Sequence, residues 1–264
     1  MRALLLALLT AVAPSPATPA KVQARTTLRV PAPARDVVAV GWAGPRRLVV
    51  LRPESIALVR LDPARAVVES EAPLPGPRVA VRTPGGLIVG PSEGPVWVMT
   101  SRAPRAALFD LERGRLRLRS EADALPWPGA TSGLRFLAGT NLIEGALAGR
   151  SGPFVAADPA SGAVVAADGT LVAAGIAEPG ARAGSAVAGL WPGWVVASSA
   201  RPPPEDDCLR VLSPDGALLE VKIAGAVSAL ASRLEREKAV VAVATASSAE
   251  ADLLVLELTR TPSP

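Results

Sequence analysis

The side chains that usually do chemistry are scarce in this 264-residue chain. It has no histidine and no tyrosine, and Cys208 is its one cysteine. Without imidazole, neither a Ser-His-Asp nor a Cys-His nucleophile can be assembled, and histidine-ligated zinc, copper or iron is excluded. A single thiolate cannot hold a metal alone, and a thiol nucleophile needs a base beside it. Cys208 opens the apolar run CLRVL and reads as a small strand residue, with a reactive thiol or an intermolecular disulfide as the alternative. An internal disulfide is impossible, so stability must come from a core.

The remaining acids fall into types. Asp62 in RLDPARAVVES, Glu112 in LERGRLRL, Asp158 in ADPASGAVV and Asp215 in LSPDGALL sit where two apolar runs reverse direction. Carboxylates there bond nearby backbone amides, and the exchange of Asp for Glu or Ser between these stretches suits a turn, not a catalyst. Glu205, Asp206 and Asp207 follow three prolines as an acidic knot. The knot lacks the alternating ligand spacing of a calcium loop and is expected to be a solvated hairpin tip. No glycine-rich loop is followed by the lysine that a phosphate site needs. No metal and no cofactor is expected.

The net charge is +4, but only Lys21, Lys222 and Lys238 of 28 basic residues are lysines, and the arginines are scattered. With aromatics at 3%, the chain lacks the stacking platforms of a nucleic-acid binder. One set is ordered: Arg113, Arg115, Arg117 and Arg119 alternate, which puts them on one face of a strand. That face is expected to be a solvated one that protects a sheet edge, with an anion-binding stripe as the alternative. Trp42 and Trp191, each just before a glycine-containing turn, read either as packing between repeats or as a recognition patch; Arg78 and Arg135 would accompany them around a central pocket.

The elements that hold these residues are short strands. Apolar runs of four to seven residues, such as VVAV, RLVVL and IALVRL, are broken by Pro, Gly or Asp-Gly, and 27 prolines argue against long helices. One stretch, VSALASRLEREK (227–238), has Leu230 and Leu234 at helical spacing and reads equally as a short helix or a strand-loop. Anchoring on Asp62, Glu112, Asp158, Ser213 and Glu257 gives spacings of 50, 46, 55 and 44. In the first unit four strands fall near 36–43, 46–52, 55–62 and 65–72. A repeat of about 45 residues with four strands has the dimensions of a β-propeller blade.

The fifth unit lacks a fourth strand, and residues 25–31 form a strand with no unit of its own. A closed propeller would place that strand beside 252–259 and remove an open edge. The fold expected is all-β: a propeller of five four-stranded blades, with six as the alternative and the register of 133–185 open. AADPASGAVV and VLSPDGALL, with their D-P-x-x-G and S-P-D-G turns, resemble the repeats of bacterial exported propellers of the YVTN and quinoprotein-like kinds. The resemblance implies a fold and transfers no site.

At the N-terminus Arg2 precedes an apolar run, Ala3 to Ala13, too short to cross a bilayer, and small residues follow. This is the layout of a signal peptide over residues 1–20, with cleavage after Ala20 or as late as Ala24. The remainder, 25–264, is expected to be one domain, periplasmic or secreted, monomeric and without a transmembrane segment. A paired-acid glycosidase needs carboxylates facing each other across the axis. The expected inner strands, DVVAVGWA, RVAVRTP, GLRFLAG, SAVAGLW and AVSALAS, contain only Asp36. The residues favour a non-catalytic module that binds a protein or envelope component. The alternative is a hydrolase of a small polar substrate, using loop carboxylates and arginines at the axial pocket.

Overall fold

The structure, a computed structural model, describes residues 21–34, 36–75, 87–89, 96–99, 106–122, 131–136, 143–147, 155–157, 164–166, 171–173, 182–191, 194–200, 206–212, 218–235, 238–246 and 251–261. Every regular element among them is a β-strand. After β1 (Lys21–Pro31) comes a meander of β2 (Ala39–Gly44), β3 (Arg47–Leu51), β4 (Ser55–Asp62) and β5 (Arg65–Pro73), paired in chain order. A second four-stranded meander holds β6 (Leu87–Val89), β7 (Val96–Met99), β8 (Ala106–Glu112) and β9 (Arg115–Ala122). Next, β10 (Thr131–Phe136) pairs with β11 (Ile143–Leu147), and β12 (Val155–Ala157), β13 (Val164–Ala166) and β14 (Leu171–Ala173) make a three-stranded sheet. A further meander joins β15 (Arg182–Gly189), β16 (Val195–Ala200), β17 (Asp207–Leu212) and β18 (Leu218–Ile223). The last sheet contains β19 (Ala226–Glu235), β20 (Lys238–Ala246) and β21 (Ala251–Thr261), and β1 is its fourth strand, antiparallel to β21.

The sheets stack face to face, and strand alternation explains how. In β3, Val49 and Leu51 point into a cluster shared with Leu87, Val89, Val96, Val98 and Phe109 of the second sheet. Leu48 and Val50 point the other way, onto Val240, Ala242, Leu253 and Val255 of the last sheet. The last sheet in turn sends Val241, Val243, Leu254 and Leu256 against Trp194, Val196, Leu209 and Val211. The first and last sheets are thus buried on both faces, which is why their strands read as unbroken apolar runs. Gly41 marks a close approach between inner strands: a Cβ there would lie 2.5 Å from Val89 Cγ2.

The first two sheets repeat in detail at a period of 50. Val59 pairs with Val68 after a bulge at Glu69, and Phe109 pairs with Leu118 after a bulge at Arg119. The ion pair across each bulge has opposite polarity: Arg60 Nε lies 2.9 Å from Glu69 Oε1, whereas Arg119 Nη1 lies 3.5 Å from Asp110 Oδ1.

Several sequence expectations need correction. The stretch 227–238 is no helix: β19 spans Ala226–Glu235, and a bulge at Ser228 brings Val227, Leu230 and Leu234 to one seam while Ala229 and Ala231 face another. Glu257 is not at a turn. It lies within β21 opposite Arg25, and the chain need not reverse there because the next strand comes from the other end. The first described strand of the second sheet is Leu87–Val89; RVAVRTP lies outside the described residues. Among the described residues the third unit holds five strands in two sheets, and the Asp168-Gly169 signal falls between β13 and β14, which pair antiparallel.

Candidate functional site

The inner strands β2 and β19 meet along a seam, and its centre is Trp42. The indole N–H donates to the carbonyl of Ala231 at 3.2 Å, and the Arg233 guanidinium lies 4.4 Å from the ring centroid. Arg233 Nη2 also donates to the carbonyl of Pro45 at 3.0 Å and pairs with Glu235 at 2.6 Å. Burial holds this guanidinium below its ordinary value, and the Glu235 charge pulls it back up. A cation on an aromatic face, with its carboxylate beside it, clamps the two strands. Trp42 remains partly exposed at the seam.

Trp191 is placed differently. It is 4% exposed and edge-on to Trp194, with centroids 5.7 Å apart, and Arg260 lies over its outer face. Packing between sheets, the first of its two readings, is the role this burial supports. Arg135 belongs to β10 opposite Glu144 in register. Arg78 lies outside the described residues. Trp42 and Trp191, the two of these side chains that are described, lie in different seams.

The acids have local duties. Asp36, just ahead of β2, accepts from Arg52 at 3.2 Å on the surface, and Arg52 also reaches Glu71. Asp62 ends β4 and is paired with Arg60. The expectation of a solvated tip fails at Asp207; Asp206 is exposed, and Glu205 lies outside the described residues. Asp207 is 5% exposed and its Oδ2 accepts the N–H of Val227 at 2.7 Å, while Asp206 Oδ1 accepts from Gly225 at 3.1 Å. They latch the linker from β18 to β19, where Gly225 adopts a φ of 84°. Asp252 receives both Nε and Nη2 of Arg29, at 2.7 and 2.6 Å, tying β1 to β21. Arg210, buried in β17, meets Glu220 at 2.6 Å.

Sequence reasoning missed Arg233 as a partner of Trp42. Nothing local marks it: the two residues are 233 − 42 = 191 positions apart, and Arg233 lay in the one stretch with ambiguous periodicity. Cys208 is buried in β17, a small strand residue as its apolar context indicated.

No protein-family model matches this sequence, and no curated protein matches it. Among solved structures it is similar to glutaminyl cyclase of Myxococcus xanthus, with TM-score 0.45, 10% identity, and coverage of 92% of this chain and 100% of that one. It is also similar to the WD40 β-propeller domain of Doa1, with TM-score 0.46, 11% identity and coverage of 89% and 97%. A third is the PQQ-bound aldose sugar dehydrogenase of Streptomyces coelicolor, at TM-score 0.39, 14% identity and coverage of 91% and 99%. The resemblance to propellers is one of fold, and no activity or ligand of these proteins passes to this chain.

Proposed function

We propose that this chain is an exported five-bladed β-propeller that binds a protein or another component of the cell envelope and catalyses nothing. The observation that supports this best is where its acids are used. Asp36, Asp62 and Asp252 sit in ion pairs, and Asp207 holds a backbone amide. Histidine and tyrosine, two common acid-base groups, are absent from the sequence.

In this reading β10 to β14 form one blade with an extension, and β1 closes the ring by completing the last sheet. Counting the two smaller sheets separately would give six blades. Residues 1–20 act as a signal peptide cut after Ala20. A cut after Ala24 would remove Lys21–Ala24, whose partners are Leu258–Thr261, and would strip Val22 and Ala24 from the core. The mature protein is then a periplasmic or secreted monomer. Around the mouth of the ring, Trp42, Arg78 and Arg135 are the proposed contacts.

The test combines two measurements on the mature protein. Crosslinking in an envelope extract should capture a discrete partner. A panel of glycosidase, lactonase and phosphatase substrates should show no turnover. Turnover without a captured partner overturns the proposal in favour of a hydrolase.

A further inference from the structure

Four of the sheets turn hairpins toward one common end. Arg233 Nη2 reaches the Pro45 carbonyl at 3.0 Å, so the β19–β20 and β2–β3 turns lie together. A Cβ on Gly114, in the β8–β9 turn, would lie 4.0 Å from Arg47 Nη2. Arg260, near the end of β21, sits 5.8 Å from the ring centroid of Trp191, in the β15–β16 turn. The β4–β5 turn belongs to this end through the register of β3 with β4, and so does Lys21, opposite Thr261. Charge is divided unequally between this end and the other.

At the hairpin end the acids are mostly paired. Asp62 is held by Arg60, Glu235 by Arg233 and Glu257 by Lys238, while Glu112 is exposed without an ion pair. Against it stand Lys21, Arg46, Arg65, Arg113, Arg115 and Arg260, all exposed and none in an ion pair among the described residues. The opposite end is the reverse. Arg52 is shared by Asp36 and Glu71, and Asp252 takes Arg29. Glu54 and Asp206 are exposed there without an ion pair, and Lys222 is the exposed base left. Arginines that merely solvate sheet edges have no reason to collect at one end. The large hydrophobics exposed among the described residues, Val68 and Leu118, lie on the outer strands β5 and β9. The described part of the hairpin end therefore lacks the apolar centre that dominates protein–protein contacts.

We infer that the hairpin end docks on a bilayer carrying anionic headgroups, through charge and without insertion. The inference rests on the binding role proposed above and names the envelope component as lipid. Basic side chains dispersed over several sheets meet a plane of phosphates one by one, and each adds to the attraction. A site for one acidic peptide would gather them along a groove. The acids of the far end contribute as well: an anionic plane repels them, so the molecule is turned hairpin end first. A small soluble anion is felt only by the nearest side chains and imposes no such orientation. Trp42 lies at this end and is partly exposed, and an indole suits a headgroup layer.

The probes are vesicles of phosphatidylcholine with about one-third phosphatidylglycerol, sedimented with the mature protein, and vesicles of phosphatidylcholine alone. The protein should pellet with the first and not with the second, and about 0.5 M salt should release it. Arg46→Glu, Arg115→Glu and Arg260→Glu together, one from each of three sheets, should weaken binding at least about tenfold, and Arg46→Glu alone about threefold. Lys222→Glu makes the same change of charge at the opposite end and should weaken binding less than about twofold. All four side chains are exposed, and circular dichroism verifies that each variant folds. No pelleting with either vesicle, equal pelleting with both, persistence at high salt, or insensitivity to the triple variant overturns the inference. A loss with Lys222→Glu as large as with Arg46→Glu overturns it too, because net charge and not this face would then explain binding. If vesicles are ignored while an envelope protein is captured by the parent and lost by the triple variant, the face serves a protein and the lipid assignment falls. Equal capture by both, without vesicle binding, sinks this face alone; neither capture nor vesicle binding by the parent sinks the binding role itself.

Discussion

At Gly41 the packing of two inner strands leaves no room for a methyl group, since Val89 Cγ2 would stand 2.5 Å from it and Val89 is buried. Gly41→Ala should therefore destabilise the protein by about 1–3 kcal/mol. Val89→Ala on its own leaves a hole and also destabilises. The double variant should lose less than the sum of the two, and denaturant unfolding of all four proteins reads that coupling. Asp207 carries a different duty. Replacing it with Ala leaves the Val227 N–H without its acceptor, at a cost of about 1–3 kcal/mol. Asp207→Asn keeps an acceptor oxygen and should recover part of that loss in the same urea titration. If Asp207→Asn matched Asp207→Ala, a charge interaction, not the amide hydrogen bond, would explain the latch.

Among the elements, β1 is the one whose removal discriminates. It covers β21 along its full length, and Val30 is buried beside Leu253 and Val255. A chain starting at Ala32 should expose that apolar edge, bind a hydrophobic dye and aggregate. Adding a peptide of residues 21–31 should restore a monomer on gel filtration; failure of the peptide to restore it would mean that β1 acts only before folding is complete. This pairing was legible in the sequence because an unmatched strand at one end answered a three-stranded unit at the other. The first unit was legible as well, since β4 and the start of β5 fall where turn residues bound the apolar runs. The second unit was less so, because a three-residue strand such as β6 has too little pattern to be told from the run before it. The periodicity of β19 was ambiguous for a physical reason: spacing of four residues suits a helix turn and an even-numbered strand position alike, and the Ser228 bulge breaks the alternation. The Trp42–Arg233 clamp had no sequence signal, since contacts between sheets depend on which face each strand presents.

At the scale of the described sheets, shared seams mean that the first sheet is held by both the second and the last, and the last also by the sheet of β15 to β18. Lys21 is paired with Thr261, so the two ends of the described chain lie side by side. A circular permutant that links them through a short turn and reopens the chain at Pro63-Ala64 should fold, with a melting temperature within a few degrees of the parent. Aggregation of that permutant, with the linker intact, would show that the native order of strands is needed. The same pairing governs time as well as space. Thr27 bonds the carbonyl of Val255 across 228 residues, so a strand made early waits for one made 228 residues later. Until then it has no partner to pair with, and a chain ordered this way is expected to acquire its final cooperativity in one late and slow step.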